Sequence, residues 1–220
     1  MKTLKTIFLV TLLALPSIAL AGAPWTFIDL GLNTADSSFE SSGSTVNDDR
    51  TNGVGLRGSI GTNLFHAGLG VEQNEWNGGK DKVGGVDETN YDIWVGMHPA
   101  MGEKVDLVLD LGYTSSEFEV PGAKDDVTAL YLRTGPRALI ANEKLELYGY
   151  VTLAVGENKF SPKTDWTGVG ATVGGQFYFT PAISLGAEVD VNGAATPATE
   201  VTSADQLKIF LRWSFANLGG

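Results

Sequence analysis

The feature that most constrains the fold is an alternation of polar and apolar residues with a period of two, which recurs from residue 25 to residue 215. The stretch 104–113, KVDLVLDLGY, shows it well. Leu107, Leu109 and Leu111 share one parity, whereas Asp106 and Asp110 share the other. A period of two is typical of a β-strand with one apolar and one polar face. Ten segments follow this pattern and no long amphipathic helix is visible, so the sequence predicts an all-β chain.

The ten predicted strands alternate with connectors, and eight strands are the alternative count. The segments are 25–34, 53–61, 64–73, 91–98, 105–115, 127–140, 145–157, 166–180, 182–192 and 206–215.

Long and short connectors alternate along the chain. Residues 35–51 and 77–90 are long and polar, whereas Thr62–Asn63 and 141–144 are short. Successive hairpins turn at opposite ends of a sheet, so all short turns fall at one rim and all long loops at the other. This arrangement is typical of a transmembrane β-barrel, with short periplasmic turns and long extracellular loops. We therefore predict a single antiparallel up-and-down transmembrane barrel.

The polar faces of the strands must line the lumen. A midplane Arg or Lys facing lipid costs about 2–4 kcal/mol, and the polar faces carry ionisable side chains throughout. These are Asp29, Arg57, His66, Glu72, Asp92, Asp106, Asp110, Arg133, Arg137, Glu146, Glu188, Asp190, Lys208 and Arg212. The opposite faces end in large aromatic residues, which predict two interfacial girdles. The girdle residues are Phe65, Tyr91, Tyr113, Phe177, Phe179, Trp213 and Phe215.

The first 21 residues have the layout of a secretory signal peptide. Lys2 and Lys5 precede an apolar run, and Ala19-Leu20-Ala21 supplies a small-residue cleavage pattern. We expect residues 1–21 to be the signal peptide and residues 22–220 to form one barrel domain. Removing the two lysines leaves 13 basic residues against 26 acidic ones, a net charge of −13, which opposes binding to nucleic acid. The chain has no cysteine, which excludes disulfides and thiolate chemistry.

The chain as a whole resembles the small outer-membrane β-barrel proteins of Gram-negative bacteria, of the porin-like and opacity-like kind. The ending LKIFLRWSF, Leu207–Phe215, is similar to the assembly signal of that family, although Ala216–Gly220 follow where the family usually ends on the aromatic residue. The resemblance implies residence in the bacterial outer membrane, contact with its lipids and lipopolysaccharide, and recognition of Leu207–Phe215 by the outer-membrane assembly machinery.

Strand register predicts which lumen charges meet. Directly opposed residues of an antiparallel pair have a constant index sum. Asp110 with Arg133 and Asp106 with Arg137 both give 243, so we predict two ion pairs between the fifth and sixth strands. Glu146 of the next strand can share Arg137 across a tight turn. These five residues form the predicted lumen salt-bridge network; carboxylates solvated separately by lumen water are the alternative.

A second constellation is His66, His98 and Asp106, on three consecutive strands near the short turns. An index sum of 164 for the third and fourth strands pairs the two histidines, and it also opposes Glu72 to Asp92. Two imidazoles and a carboxylate can ligate a metal or relay protons. Ordinary lumen histidines bonded to acids are the preferred interpretation, so we predict no metal site, no cofactor and no catalytic residue.

A barrel is a scaffold and does not fix its function. The favoured hypothesis is a non-enzymatic structural or surface-interaction protein, acting in envelope stability or adhesion, with a lumen largely plugged by side chains. The alternatives are a narrow porin-like channel for ions or small solutes and an outer-membrane enzyme. The sequence identifies no surface partner.

Overall fold

The computed structural model describes residues 24–41, 44–76, 86–120, 123–159, 163–196 and 201–215. The predicted signal peptide, residues 1–21, and the tail Ala216–Gly220 lie outside the described residues. No helix in the described part of the chain is long and apolar enough to cross a membrane.

Ten antiparallel strands follow one another along the chain. They are β1 (Thr26–Ser41), β2 (Ser44–Gly61), β3 (Phe65–Trp76), β4 (Val86–Met97), β5 (Val105–Val120), β6 (Ala123–Ile140), β7 (Leu145–Asn158), β8 (Thr164–Thr180), β9 (Ile183–Ala195) and β10 (Val201–Phe215). Each strand pairs with its neighbours in sequence, and β1 pairs with β10 to close the barrel. The ten-strand up-and-down prediction is confirmed, and the eight-strand alternative is wrong.

Several strands are longer than the sequence pattern indicated. Residues 35–51 and 116–126 were expected to be mainly loop, yet β1 continues to Ser41, β2 begins at Ser44, β5 continues to Val120 and β6 begins at Ala123. The apolar alternation marks only the part of a strand that faces lipid. Beyond that band, polar residues keep the same ladder of backbone hydrogen bonds because the partner strand extends equally far.

The two faces of the wall are inverted relative to a soluble barrel. Leu69 is 63% exposed on the outer face, whereas Phe210 is 1% exposed in the lumen. Exposed outer positions are mostly Leu, Ile and Val, while the lumen side buries many charged residues. This polarity suits a wall surrounded by lipid and is the reverse of a soluble barrel, whose apolar side chains point inward.

The predicted girdle residues all lie on strands with their side chains on the outer side. Phe65, Phe177 and Phe179 are exposed near the short turns. Tyr91 and Tyr113 are exposed higher on β4 and β5, at the level where the outer face changes from Ile and Leu to Thr and Ser. The last two, Trp213 and Phe215, are half-buried at the end of β10.

Candidate functional site: the lumen

The short-turn end of the lumen is closed by a stack of rings. Trp25 is 7% exposed, and its ring centroid lies 4.5 Å from that of His66 and 3.9 Å from that of His98. The guanidinium carbon of Arg137 lies 4.1 Å from the Trp25 ring centroid, and Arg137 Nη2 donates to the carbonyl oxygen of Pro24 at 3.2 Å. The segment that enters β1 is therefore held inside the barrel, where it blocks the opening.

Arg137 also begins a buried chain of hydrogen bonds. Its Nη2 lies 2.8 Å from Glu146 Oε2, which accepts a second hydrogen bond from the Tyr178 hydroxyl at 2.8 Å. The chain continues through Gln176 Nε2 to Tyr178 Oη at 2.9 Å and Ser184 Oγ to Gln176 Oε1 at 3.0 Å. The structure thus brings Arg137 and Glu146 together, and the tight turn between β6 and β7 allows this contact.

Asp110 is the acid of a second buried group. Its Oδ2 lies 2.6 Å from Arg133 Nη2, and its Oδ1 lies 2.8 Å from His66 Nε2. Asp110 is 1% exposed, so a carboxylate there needs such partners. The β5–β6 register pairs Asp110 with Arg133, as the index sum of 243 requires.

Asp106 requires a correction to the predicted network. It lies opposite Arg137 in the β5–β6 register, but the guanidinium of Arg137 contacts Glu146 instead. The reason is Trp25, whose ring covers the guanidinium and whose side chain is the hydrogen-bond partner of Asp106. Strand register predicts which backbone positions are opposite each other. It does not predict whether a side chain from elsewhere in the chain lies between their side chains.

The His66, His98 and Asp106 constellation also differs from the expectation. The β3–β4 register has an index sum of 162, so His66 faces Gly96 and the sum of 164 is wrong by two residues. The histidine rings are tilted by 36° with centroids 5.4 Å apart, and His66 Nε2 lies 2.8 Å from Asp110 rather than beside Asp106. Among the described residues, no group of three or more His, Cys, Asp or Glu side chains is arranged to hold a metal ion.

His98 lies in the connector after β4, where its backbone N–H donates to the Leu64 carbonyl at 2.8 Å. Burial, together with the nearby His66 and Arg137, lowers the pKa of the His98 imidazole to about 4. The ring is therefore neutral near pH 7, which suits its stacking against Trp25.

In the described part of the chain, the largest charge cluster joins residues that the sequence pattern was not used to pair. Asp29 Oδ1 lies 2.7 Å from Arg212 Nε, and its Oδ2 lies 2.9 Å from Arg57 Nη2. Arg57 Nη1 also reaches Glu188 Oε1 at 3.5 Å, and the Tyr148 hydroxyl donates to Glu188 Oε2 at 2.7 Å. Strand register could have predicted these contacts, because Asp29 faces Arg212 and Arg57 directly once β10 and β2 are placed beside β1.

Aromatic rings fill the space around this cluster. The Arg212 guanidinium carbon lies 3.6 Å from the Phe27 ring centroid and 5.4 Å from that of Phe210. A Cβ at Gly186 would lie 2.3 Å from Phe210 Cζ, so this position must be glycine for the ring to lie against β9. The middle of the lumen retains a cavity of about 70 Å³.

Above the cluster, the lumen opens into two adjoining cavities of about 280 Å³ and 270 Å³, here called the vestibule. The first is polar, with Lys208 Nζ 3.0 Å from Glu72 Oε2 and the Tyr131 hydroxyl 2.9 Å from Asp92 Oδ1. Glu72 faces Asn90 in the β3–β4 register, so the expected Glu72–Asp92 pair is wrong. Both cavities are lined by Thr114, Tyr131, Thr152 and Asn192.

The inverted wall and charged lumen define an integral outer-membrane β-barrel protein. Residues 7–215 match the model of the outer membrane protein beta-barrel domain, and the chain belongs to that family. It resides in the bacterial outer membrane, surrounded by the lipids of that membrane. No curated protein has significant sequence similarity to the chain.

Solved structures share the fold. The outer membrane protease OmpT from Escherichia coli is 11% identical with a TM-score of 0.52, covering 89% of this chain and 99% of its own. The COG4313 outer membrane channel from Pseudomonas putida F1 is 11% identical with a TM-score of 0.49, covering 92% and 97%. Ail of Yersinia pestis, an attachment invasion locus protein, is 14% identical with a TM-score of 0.35, covering 86% and 99%. At 11% identity, the similarity to the OmpT structure supports the barrel fold alone.

Proposed function

We propose that the protein is a non-enzymatic outer-membrane barrel with a closed lumen, acting in envelope structure or surface interaction. The observation that carries this proposal is the bridge from one wall to the other. Arg57 of β2 and Tyr148 of β7 both bind Glu188 of β9. Below it, Trp25 fills the short-turn opening. A solute would have to break buried charge contacts at both levels to cross the barrel.

The histidines of the lumen support a non-enzymatic role. His66 lies against the Asp110 carboxylate, and His98 is stacked on Trp25. Both rings are packed beneath the charge cluster, away from the vestibule. A lipid or peptide substrate entering from the long-loop side would not reach them.

The ends of β5 and β6 that lie farthest from the short-turn rim support a surface role. β5 has 16 residues, so at about 3.3 Å per residue and a tilt of about 40° it rises about 40 Å, against an apolar band about 25 Å tall. The excess is polar and ordered by ion pairs: Lys124 Nζ lies 2.7 Å from Glu117 Oε2 and 3.4 Å from Glu119 Oε1. Short periplasmic turns are the rule for such barrels, and with that orientation these strands project from the cell.

Planar-bilayer recording of the refolded barrel tests the closed lumen. We expect no steady current from the wild type. The triple variant Trp25→Ala/Arg57→Ser/Glu188→Ser should introduce stepwise conductance, because it removes both the bridge across the lumen and the ring that fills the short-turn opening. The matched control is Leu56→Ala, on the adjacent lipid-facing position of β2, which should stay silent.

Steady open currents from the wild type would contradict the proposal and favour the narrow porin-like channel. Hydrolysis of outer-membrane phospholipids by the silent protein would contradict the non-enzymatic part instead.

A further inference from the structure

We propose that the vestibule binds a small organic cation, with its ammonium group against Asp92 and a flat apolar body in the compartment beside Trp166. The two adjoining cavities, of about 280 Å³ and 270 Å³, together fall within the range of about 300–1,000 Å³ typical of small-molecule sites. The inference does not depend on whether the lumen conducts, because binding is an equilibrium property.

The charge balance of the vestibule selects a cation. Each of its three basic residues already has a carboxylate partner within 3.0 Å. The pairs are Arg57 with Asp29, Arg133 with Asp110, and Lys208 with Glu72.

Two vestibule acids have no such cation. In the described part of the chain, Asp92 and Asp190 form no ion pair; Asp92 accepts from the Tyr131 hydroxyl at 2.9 Å and Asp190 accepts from the Thr172 hydroxyl. The remaining acid, Glu188, is bound to Arg57. These two carboxylates accept hydrogen bonds only from neutral hydroxyl groups. They therefore leave the pocket with excess negative charge, which favours a positively charged ligand.

The second compartment selects an organic ligand. It is walled mainly by small residues, Ala129, Ala154 and Gly168, and by the Trp166 indole. A Cβ at Gly156 would lie 2.4 Å from Trp166 Cε2, so the absence of a side chain there lets the indole lie against β7. The surface left facing the cavity is apolar and fits an aromatic or aliphatic body.

Trp166 lines this compartment with apolar indole atoms. Its Nε1 is buried out of reach of a molecule in the cavity, so the ring offers a ligand apolar contact and no hydrogen bond. A bare metal ion fits poorly, because no cluster of three or more ligating side chains occurs in the described ranges.

Tyr131 connects the two compartments. Its ring lines both cavities while its hydroxyl orients Asp92. A cation bound to Asp92 would therefore lie beside an aromatic ring, which adds a cation–π attraction. The arrangement recognises an ammonium joined by a short linker to a flat body.

Isothermal titration calorimetry of the refolded barrel with three probes of one shape tests this inference. Tyramine carries an ammonium, tyrosol a hydroxyl in its place, and 4-hydroxyphenylacetate a carboxylate. We expect saturable binding of tyramine, weaker binding of tyrosol and the weakest of the carboxylate. Absence of tyramine binding, or tighter binding of the carboxylate, would overturn the proposal.

Variants locate the site. Asp92→Asn keeps the shape and the Tyr131 contact but should weaken tyramine binding at least about tenfold, the scale for losing a charged hydrogen bond. Ala154→Leu should weaken both tyramine and tyrosol because it fills the apolar compartment. Asp87→Asn, an exposed acid on the outer side of the same strand, is the matched control and should bind like the wild type. Equal tyramine affinity in Asp92→Asn and wild type, with all variants retaining heat-modifiable migration, would refute the assignment.

Discussion

The ion pair between Asp110 and Arg133 shows what register can and cannot predict at the scale of single residues. Both residues share a parity and an index sum, and the sequence pattern alone brought them together. His66 could not be assigned to Asp110 in this way, since it comes from β3, two strands away from β5. Contacts between adjacent strands follow from sequence, whereas contacts across the lumen depend on side-chain reach and on what fills the space.

Asp110 therefore has a second contact, the His66 imidazole, that the sequence did not indicate, and this changes the expected effect of removing Arg133. Breaking a buried ion pair costs about 3–5 kcal/mol. We expect Arg133→Ala to destabilise the barrel by only about 2 kcal/mol, because His66 Nε2, 2.8 Å from Asp110 Oδ1, still contacts the carboxylate. Adding Asp110→Asn should recover part of that loss.

A double-mutant cycle, measured by urea unfolding in lipid vesicles, gives the coupling energy of this pair. The same cycle in a His66→Gln background should give a larger coupling, because the imidazole no longer shares the Asp110 carboxylate with Arg133. A coupling near zero in both backgrounds would show that the pair contributes nothing to stability.

At the scale of elements, the number and order of the strands were predictable, but the strand ends were not. Period-two apolarity identified the lipid-facing part of β1 as far as residue 34, whereas the strand continues to Ser41. The extension carries Ser, Asp and Glu, whose side chains do not distinguish a paired polar strand from a loop. Backbone pairing with β2 decides the outcome.

The long-loop ends of β5 and β6 give a direct test of orientation, because the chain has no cysteine of its own. Glu119→Cys introduces a thiol at an exposed position near the end of β5, and Lys144→Cys introduces one in the short turn before β7. A membrane-impermeant maleimide added to intact cells should label Glu119→Cys and not Lys144→Cys. Both should react after the outer membrane is permeabilised. The opposite labelling pattern would place the short turns outside the cell.

At the scale of the whole molecule, the inverted distribution of polarity is what separates this chain from a soluble barrel. The sequence predicted it because fourteen ionisable side chains share the faces opposite to the leucines. It could not predict how those charges divide into a closed lower lumen and an open vestibule. That division depends on Trp25, Phe27 and Phe210, which fill the lower half, and on the small residues around Trp166, which leave the upper half empty.

The same inversion leads to a prediction that no soluble protein would satisfy. Leu69 is 63% exposed, lies four residues above Phe65 of the lower girdle, and pairs with Ile93, two residues below Tyr91 of the upper girdle. On a soluble surface, Leu→Arg at so exposed a site would change stability by about 0.5 kcal/mol or less. In the membrane, Leu69→Arg should cost about 2–4 kcal/mol, because the guanidinium lies near the bilayer midplane. Met101→Arg, a matched control at an exposed apolar residue of the connector between β4 and β5, outside the apolar band, should have little effect. Unfolding of both variants in lipid vesicles measures the difference, and equal stabilities would mean that the leucine face does not contact lipid.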